Sequence, residues 1–442
     1  MGIHKLENTV KHYAWGSPEW IPRLTASANP RGEPWAELWM GVHPGGPSRA
    51  LLPDPEHPGK TLGVPLAEIA AVPFLLKFLA AESPLSIQAH PNAEQAREGF
   101  DRENAAGIAP DAPERNYRDG SHKPEILCAL PVPGDGDENG GDGETPFTAM
   151  AGFREPGEAA ALLEGLAEAA GDRGTGIPRE SGVLWNTLRA ALSEGYRPFL
   201  SALFGLSEAE RKALTAAVTT AAARAATPGT GTAGGTAPDK TALELCGAFA
   251  AAYPDDPGIL SPLYLNVLTL RPFEGIYIPA GVLHAYVRGL GVECMANSDN
   301  VLRGGLTPKH VDLGELLSIL RFEPFRPAIV RPVPVSPGRG RYESAAIGGF
   351  AAVGGFATEF SLYLLRGPEA ALEADAPGEA IVAAVQGAAR IRLEPGGEEC
   401  FLRRGESAFV RRRGPGERVL VRGAEGGECS LFAALDPAPN RG

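Results

Sequence analysis

The stretch from Leu265 to Lys309, LNVLTLRPFEGIYIPAGVLHAYVRGLGVECMANSDNVLRGGLTPK, constrains the fold of this chain more than any other. Leu268 and Leu270, then Ile276 and Ile278, recur at the two-residue period that places alternate side chains on one face of a strand. A strand pair with a common apolar face is therefore expected. Pro279-Ala280-Gly281 supplies a turn. A strand resumes at His284, whose imidazole can point into the open end of a barrel. A lone histidine at a strand start is more often structural than a metal ligand, and the residues alone leave both readings open.

At 442 residues the chain has room for two or three domains. Its 43% hydrophobic and 21% charged residues exclude a disordered or fibrous chain. Pro73 and Lys77 interrupt the best apolar run, Val72 to Ala81, well short of the ~18–20 residues of a membrane span. The start, MGIHKLENTV, has no apolar signal core, so a cytoplasmic protein is expected. A formal charge of −13 repels nucleic acid and anionic membranes, so an anionic substrate would need a local basic pocket. The five cysteines are odd in number and lack a CxxC pair, and they read as reduced, mostly buried thiols.

The aromatic tracts HKLENTVKHYAWGSPEW and Pro34 to Ser48 read as packing at the edge of a β domain, or as ligand contact. Between Pro73 and Asn92 two short strands flank Glu82-Ser83-Pro84. Gln88 and His90, two apart, leave the same strand face. AEQAREGF beyond Asn92 has helical character. Pro124 holds Lys123 extended, so His122-Lys123-Pro124-Glu125 feeds a strand. Glu125 enters that apolar run as a carboxylate and, if buried, needs a partner, a metal or an arginine equally. Pro131 to Thr145 reads as a solvated surface loop, since it lacks the glutamate register of a calcium loop. From about Pro156 to Tyr253 the composition is helical, Ser207 and Glu210 have capping-box spacing, and Thr227 to Lys240 is a low-complexity linker. Beyond Arg331 a Pro/Arg connector leads to short β-like runs. No histidine follows His310, so no second imidazole metal centre can form there.

Several motifs now stand together: YAWGS (Tyr13 to Ser17), AELWMGVHP (Ala36 to Pro44), LSIQAHP (Leu85 to Pro91), HKPE (His122 to Glu125) and YPDDPGILSPLYLN (Tyr253 to Asn266). With the 265–309 stretch and its Pro-x-Gly-x-x-His, they follow the order of a known family. The chain resembles the type I mannose-6-phosphate isomerases, zinc enzymes of the cupin fold. That resemblance implies a mainly β chain with a helical insertion. It places a jelly-roll catalytic domain in 1–155 and 261–330, an all-α inserted domain in 156–260, and a cupin-like β domain without metal ligands in 331–442. Gly275, Pro279 and Gly281 match the turn that presents His284. It also implies one zinc held by Gln88, His90, Glu125 and His284, a donor set suited to a borderline divalent cation.

Isomerising an aldose to a ketose removes a proton beside a carbonyl, stabilises an enediolate and returns the proton to the neighbouring carbon. By resemblance, Glu293 is the first choice of base and Arg303 the active-site arginine. Lys309 joins Arg303 as a phosphate clamp, His122 and Lys123 serve ring opening or proton relay, and Lys77, Ser86 and Tyr286 line the pocket. The implied reaction interconverts mannose 6-phosphate and fructose 6-phosphate in a monomer whose partner is a small sugar phosphate, with neither nucleic acid nor membrane. Two other readings stay open: an iron or manganese cupin dioxygenase, against which Arg303 and Lys309 argue, and a non-catalytic sugar-phosphate sensor, against which Glu293 argues. The long gap between His90 and Glu125 reads as a surface loop inserted around Gly99 to Pro113. The loops at Gly134 to Gly143 and Thr227 to Gly235 read as expanded.

Overall fold

The computed structural model describes residues 2–134, 145–171, 179–225, 240–342, 359–373, 378–412, 414 and 416–436. Most of the acidic loop expected at Pro131 to Thr145 and of the linker expected at Thr227 to Lys240 lies outside the described residues.

The strands expected between Pro73 and Asn92, from Glu125 and from Leu268 to His284 join others in a ten-stranded sheet: β1 (Thr9–Lys11), β2 (Glu37–Gly41), β3 (Phe74–Ala81), β4 (Gln88–Ala89), β5 (Glu125–Ala129), β6 (Phe147–Phe153), β7 (Leu265–Leu270), β8 (Gly275–Ile278), β9 (His284–Ala296) and β10 (Leu302–Arg303). β9 is its hub and pairs antiparallel with β3, β4, β5 and β6. β3 shows why its sequence, FLLKFLAA, is apolar on both faces. Phe74, Leu76, Phe78 and Ala80 pack towards the C-terminal sheet, while Leu79 and Ala81 pack on the opposite side. At a two-residue period Lys77 belongs with the second set, on the concave face.

A nine-stranded sheet carries the C-terminal strands. It also takes three strands from the first part of the chain. Ile3–Glu7 pairs with Ser407–Arg412, and Arg49–Pro53 and Thr61–Pro65 extend the edge. The 1–155 and 331–442 segments are therefore interlocked, and a cut at 331 does not separate two sheets. Short alternating strands carry no mark of which distant strand they will join. A third sheet of four strands, from Glu369–Glu373 to Arg418–Gly423, packs on the nine-stranded one through Ile391, Val421, Val382 and Leu431.

Between Pro156 and Ala252 the described residues form helices Pro156–Ala170, Arg179–Glu194, Tyr196–Phe204, Glu208–Ala225 and Lys240–Ala252. Leu166, Leu188, Phe199, Val218 and Phe249 bury their common core. The expected capping box is present: Glu210 N–H donates to Ser207 Oγ at 3.4 Å and Ser207 N–H to Glu210 Oε2 at 2.8 Å.

One expectation changes. The segment read as a surface loop from Gly99 begins inside a helix, Ala93–Ala105, capped by Asn92 and Gln95. Gly99 lies against the Tyr117 ring, where a Cβ would come within 2.4 Å. Glycine thus marks close packing here, and only the residues after Ala105 are irregular. All five cysteines are unpaired; four are buried and Cys400 is half-buried. No described helix is long and apolar enough to cross a membrane.

Candidate active site

Strand register assembles the site. Gln88 on β4 stands directly opposite His284 on β9 and directly opposite Arg303 on β10, so three residues scattered in sequence form one row. Glu125 opens β5 opposite Ile278 and Met295. Gly281, with φ +77°, donates its N–H to the His90 carbonyl at 2.8 Å, pinning the turn to the segment that carries the other imidazole.

The ligand atoms of His90, Glu125 and His284 lie within 4.8 Å of one another and are buried. His90 Nδ1 donates to the Asn300 carbonyl at 2.7 Å, and His284 Nδ1 to the Val282 carbonyl at 3.0 Å. A carbonyl only accepts, so each Nδ1 holds the proton and each Nε2 presents a lone pair. Those lone pairs face a carboxylate: His284 Nε2 is 2.9 Å from Glu125 Oε1, and His90 Nε2 is 3.4 Å from Oε2. Both Nε2 atoms and Glu125 Oε2 are buried without a hydrogen bond. Acceptors facing acceptors in a dry site are costly unless a cation lies between them. Burial, followed by the nearby Lys123 ammonium, holds His90 down to about 4, so its ring is neutral and ready to ligate. Burial alone would push the Glu125 carboxyl up, yet the imidazoles and the Lys123 ammonium around it hold it well below the usual carboxylate range. Two imidazoles and a carboxylate suit zinc. Among the described residues no arginine partners Glu125; Lys123 Nζ lies 3.7 Å from Oε2, and Tyr286 donates its hydroxyl to Oε1 at 3.1 Å.

His284 and Glu293 are nine residues apart, so an uninterrupted strand would send them to opposite faces. β9 is not uninterrupted. Its register shifts between Tyr286 and Arg288, and Gly289 follows at φ +139°. A Cβ there would come within 2.6 Å of the Phe147 ring. The irregularity resets the alternation, so Tyr286 and Glu293 line one cavity.

Opposite Glu293 in register stands Lys77, and beyond it Trp39. The Lys77 ammonium contacts Glu293 and lies 3.1 Å from Glu37 Oε1. Glu37 in turn accepts the Trp39 indole N–H at 2.7 Å. One ammonium thus serves two buried carboxylates. Burial opposes the Lys77 charge, but Glu293 and Glu37 overcome it and raise its proton affinity. Glu293 is raised too, by burial and then by the neighbouring acids, against the pull of Lys77.

These groups line a cavity of about 550 Å³. Gln88, Ser86, Lys77, Lys123, Glu125, Tyr286, Glu293, Arg303 and Lys309 all reach it. His122 does not. Neighbours in an extended segment point to opposite sides, so Lys123 and Glu125 share the cavity face and His122 is sent away. It lines a separate depression, with Nε2 2.5 Å from Glu359. The structure adds residues that motif reading left unassigned: Tyr13, Trp15, Glu37, Trp39 and His43 from the aromatic tracts, together with Arg118 and Asp299. The available signal was the polar residues among those aromatics, which ordinary edge packing does not require.

An acceptor-only metal cradle on the floor of a polar, cation-rimmed cavity defines a metal-dependent enzyme for a small anionic substrate. Residues 3–133 match the model of the phosphomannose isomerase type I catalytic domain. The mannose-6-phosphate isomerase of Salmonella typhimurium is 36% identical over 419 residues, covering 92% of this chain and 94% of that one. The human mannose-6-phosphate isomerase is 32% identical over 351 residues, 73% of this chain and 74% of its own. A zinc-bound crystal structure of a mannose 6-phosphate isomerase superposes with a TM-score of 0.74 at 31% identity, covering 98% of this chain and 99% of that one. The Salmonella enzyme bound to fructose 6-phosphate and zinc superposes with a TM-score of 0.73 at 32% identity over the same shares. The chain belongs to the phosphomannose isomerase type I family.

Proposed function

We infer that this chain interconverts D-mannose 6-phosphate and D-fructose 6-phosphate by proton transfer between C2 and C1 through an enediolate. The observation that carries this reading is the acceptor-only cradle of His90, Glu125 and His284 beside the paired Lys77 and Glu293. Gln88, opposite His284 in register, is assigned as the fourth protein ligand. Zinc held there supplies positive charge for the substrate oxygens where negative charge develops.

The chain's own residues do the rest. Glu293 is buried, and its raised proton affinity suits a group that takes a proton from one carbon and returns it to the next. Lys77 stabilises its carboxylate form between transfers. Lys123, beside Glu125, is assigned the proton at the sugar-ring oxygen, and His122 has no part in the reading. Arg303 and Lys309 hold the phosphate, and Ser86 and Tyr286 shape the walls. The surrounding architecture is assigned as a cupin barrel with an all-α insertion and a second, metal-free barrel. The chain is assigned as a cytoplasmic monomer whose only partner is its substrate.

The test is the coupled conversion of mannose 6-phosphate to fructose 6-phosphate, with and without chelator. Turnover abolished by chelator and restored by about one zinc per chain supports the assignment. Iron with oxygen uptake would replace it by an oxygenase.

A further inference from the structure

We propose that Arg118 is a third phosphate-holding cation, completing with Arg303 and Lys309 the seat for the dianionic end of the substrate. This rests on the sugar-phosphate reading above. All three side chains line the same cavity. Among the described residues no carboxylate forms an ion pair with any of them. Burial and then Arg118 lower the proton affinity of Arg303, and burial, Arg303 and Arg118 do the same for Lys309. Like charges are therefore held together at one rim without a counter-ion, in a chain whose net charge is −13. Such a cluster is relieved by a bound anion of high charge, and a guanidinium offers several donors to one phosphate.

The position of Arg118 is also built. Its N–H donates to Asn300 Oδ1 at 2.7 Å, and the Asp119 N–H reaches the same oxygen at 3.2 Å. Asn300 Nδ2 donates back to the carbonyls of Asp119 at 2.7 Å and Ser121 at 2.8 Å. The Asn300 carbonyl takes the His90 Nδ1 proton at 2.7 Å, and Asn300 is fully buried. One amide residue thus ties the loop carrying Arg118 to a metal-binding imidazole, fixing the spacing between the seat and the metal centre. The Arg118 guanidinium itself makes one weak contact, Nη1 to the Pro110 carbonyl at 3.4 Å, leaving its other donors available.

The experiment compares wild type, Arg118→Ala, Arg118→Lys and Arg97→Ala, an exposed arginine on another depression. Each is assayed for zinc content, for KM and kcat with mannose 6-phosphate, and for competitive inhibition by inorganic phosphate. Arg118→Ala should keep its zinc and raise both KM and the phosphate inhibition constant about five- to tenfold, with kcat much less affected. Arg118→Lys should recover most of the loss, and Arg97→Ala should match wild type. Constants for Arg118→Ala within twofold of wild type, or equal shifts in Arg97→Ala, would overturn the proposal. Wild type that fails to isomerise mannose 6-phosphate would instead overturn the function on which it rests.

Discussion

Replacing Lys77 by methionine removes the ammonium that stands between Glu37 and Glu293 while keeping most of the side-chain volume. The three side chains are 7%, 7% and 3% exposed. At the 3.1 Å separation of Lys77 and Glu37, an effective dielectric of about 20 gives an attraction of about 5 kcal/mol. The ammonium's own desolvation, which methionine escapes, offsets part of that. Stranding buried carboxylates costs about 3–5 kcal/mol overall, a large share of a typical folding stability. The deficit should depend on pH. Without Lys77, the folded Glu293 carboxyl lies further above its unfolded range of about 4.3, so stability is lost as pH rises through the folded value. Urea unfolding should therefore show the largest deficit near pH 8 and a smaller one near pH 5. Adding Glu293→Gln removes one stranded charge and should restore about 1 kcal/mol or more, a coupling that a double-mutant cycle isolates. A deficit below about 1 kcal/mol at pH 8, or one that grows towards acid, would refute the buried charged triad.

Three further outcomes follow from the same geometry. Glu293→Gln should lower kcat by about 10²–10⁴ and abolish solvent exchange of the C2 proton while zinc content stays unchanged; exchange at the wild-type rate would remove Glu293 from the proton path. In the metal-stripped protein, His90 stays neutral down to about 4, whereas the unfolded ring protonates near 6.5. Stability should therefore fall as pH drops from about 6.5 to about 4, by up to about 3 kcal/mol, and His90→Asn should flatten that slope in urea titrations. Gly152→Ala, at φ +67°, would put a Cβ 2.0 Å from the Phe325 carbonyl oxygen, and a loss of about 2–4 kcal/mol in thermal unfolding is expected; a neutral substitution would contradict this close approach.

The resemblance to a known family is what made most of the site legible, while the residues alone narrowed the candidates without choosing between a ligand and a structural role. Gln88 and His90 two apart, Glu125 at the start of an apolar run, and His284 after Pro279-Ala280-Gly281 each follow from one strand or one turn. Glu293 illustrates the limit of that reasoning. Its place in one cavity with Tyr286 depends on a bulge whose only trace in sequence is Gly289, and a glycine alone does not say that the alternation resets. His122 shows the converse, since the alternation that brings Lys123 and Glu125 to the cavity already sent it away. Glu37 and Trp39 left only the faint signal of polar residues among aromatics, because they enter the site through β2 pairing with β3, and pairing between distant strands is set by the whole sheet. The same holds for Ile3–Glu7, whose partner strand, Ser407–Arg412, lies near the other end of the chain.

The most direct measurement is metal content after purification in zinc, by mass spectrometry, for wild type and His284→Ala. Removing that imidazole leaves Glu125 and His90 without the third corner of the cradle, so wild type should carry one zinc per chain and the variant almost none, with isomerisation lost in parallel. Stoichiometric zinc retained in His284→Ala would place the metal elsewhere and contradict the account.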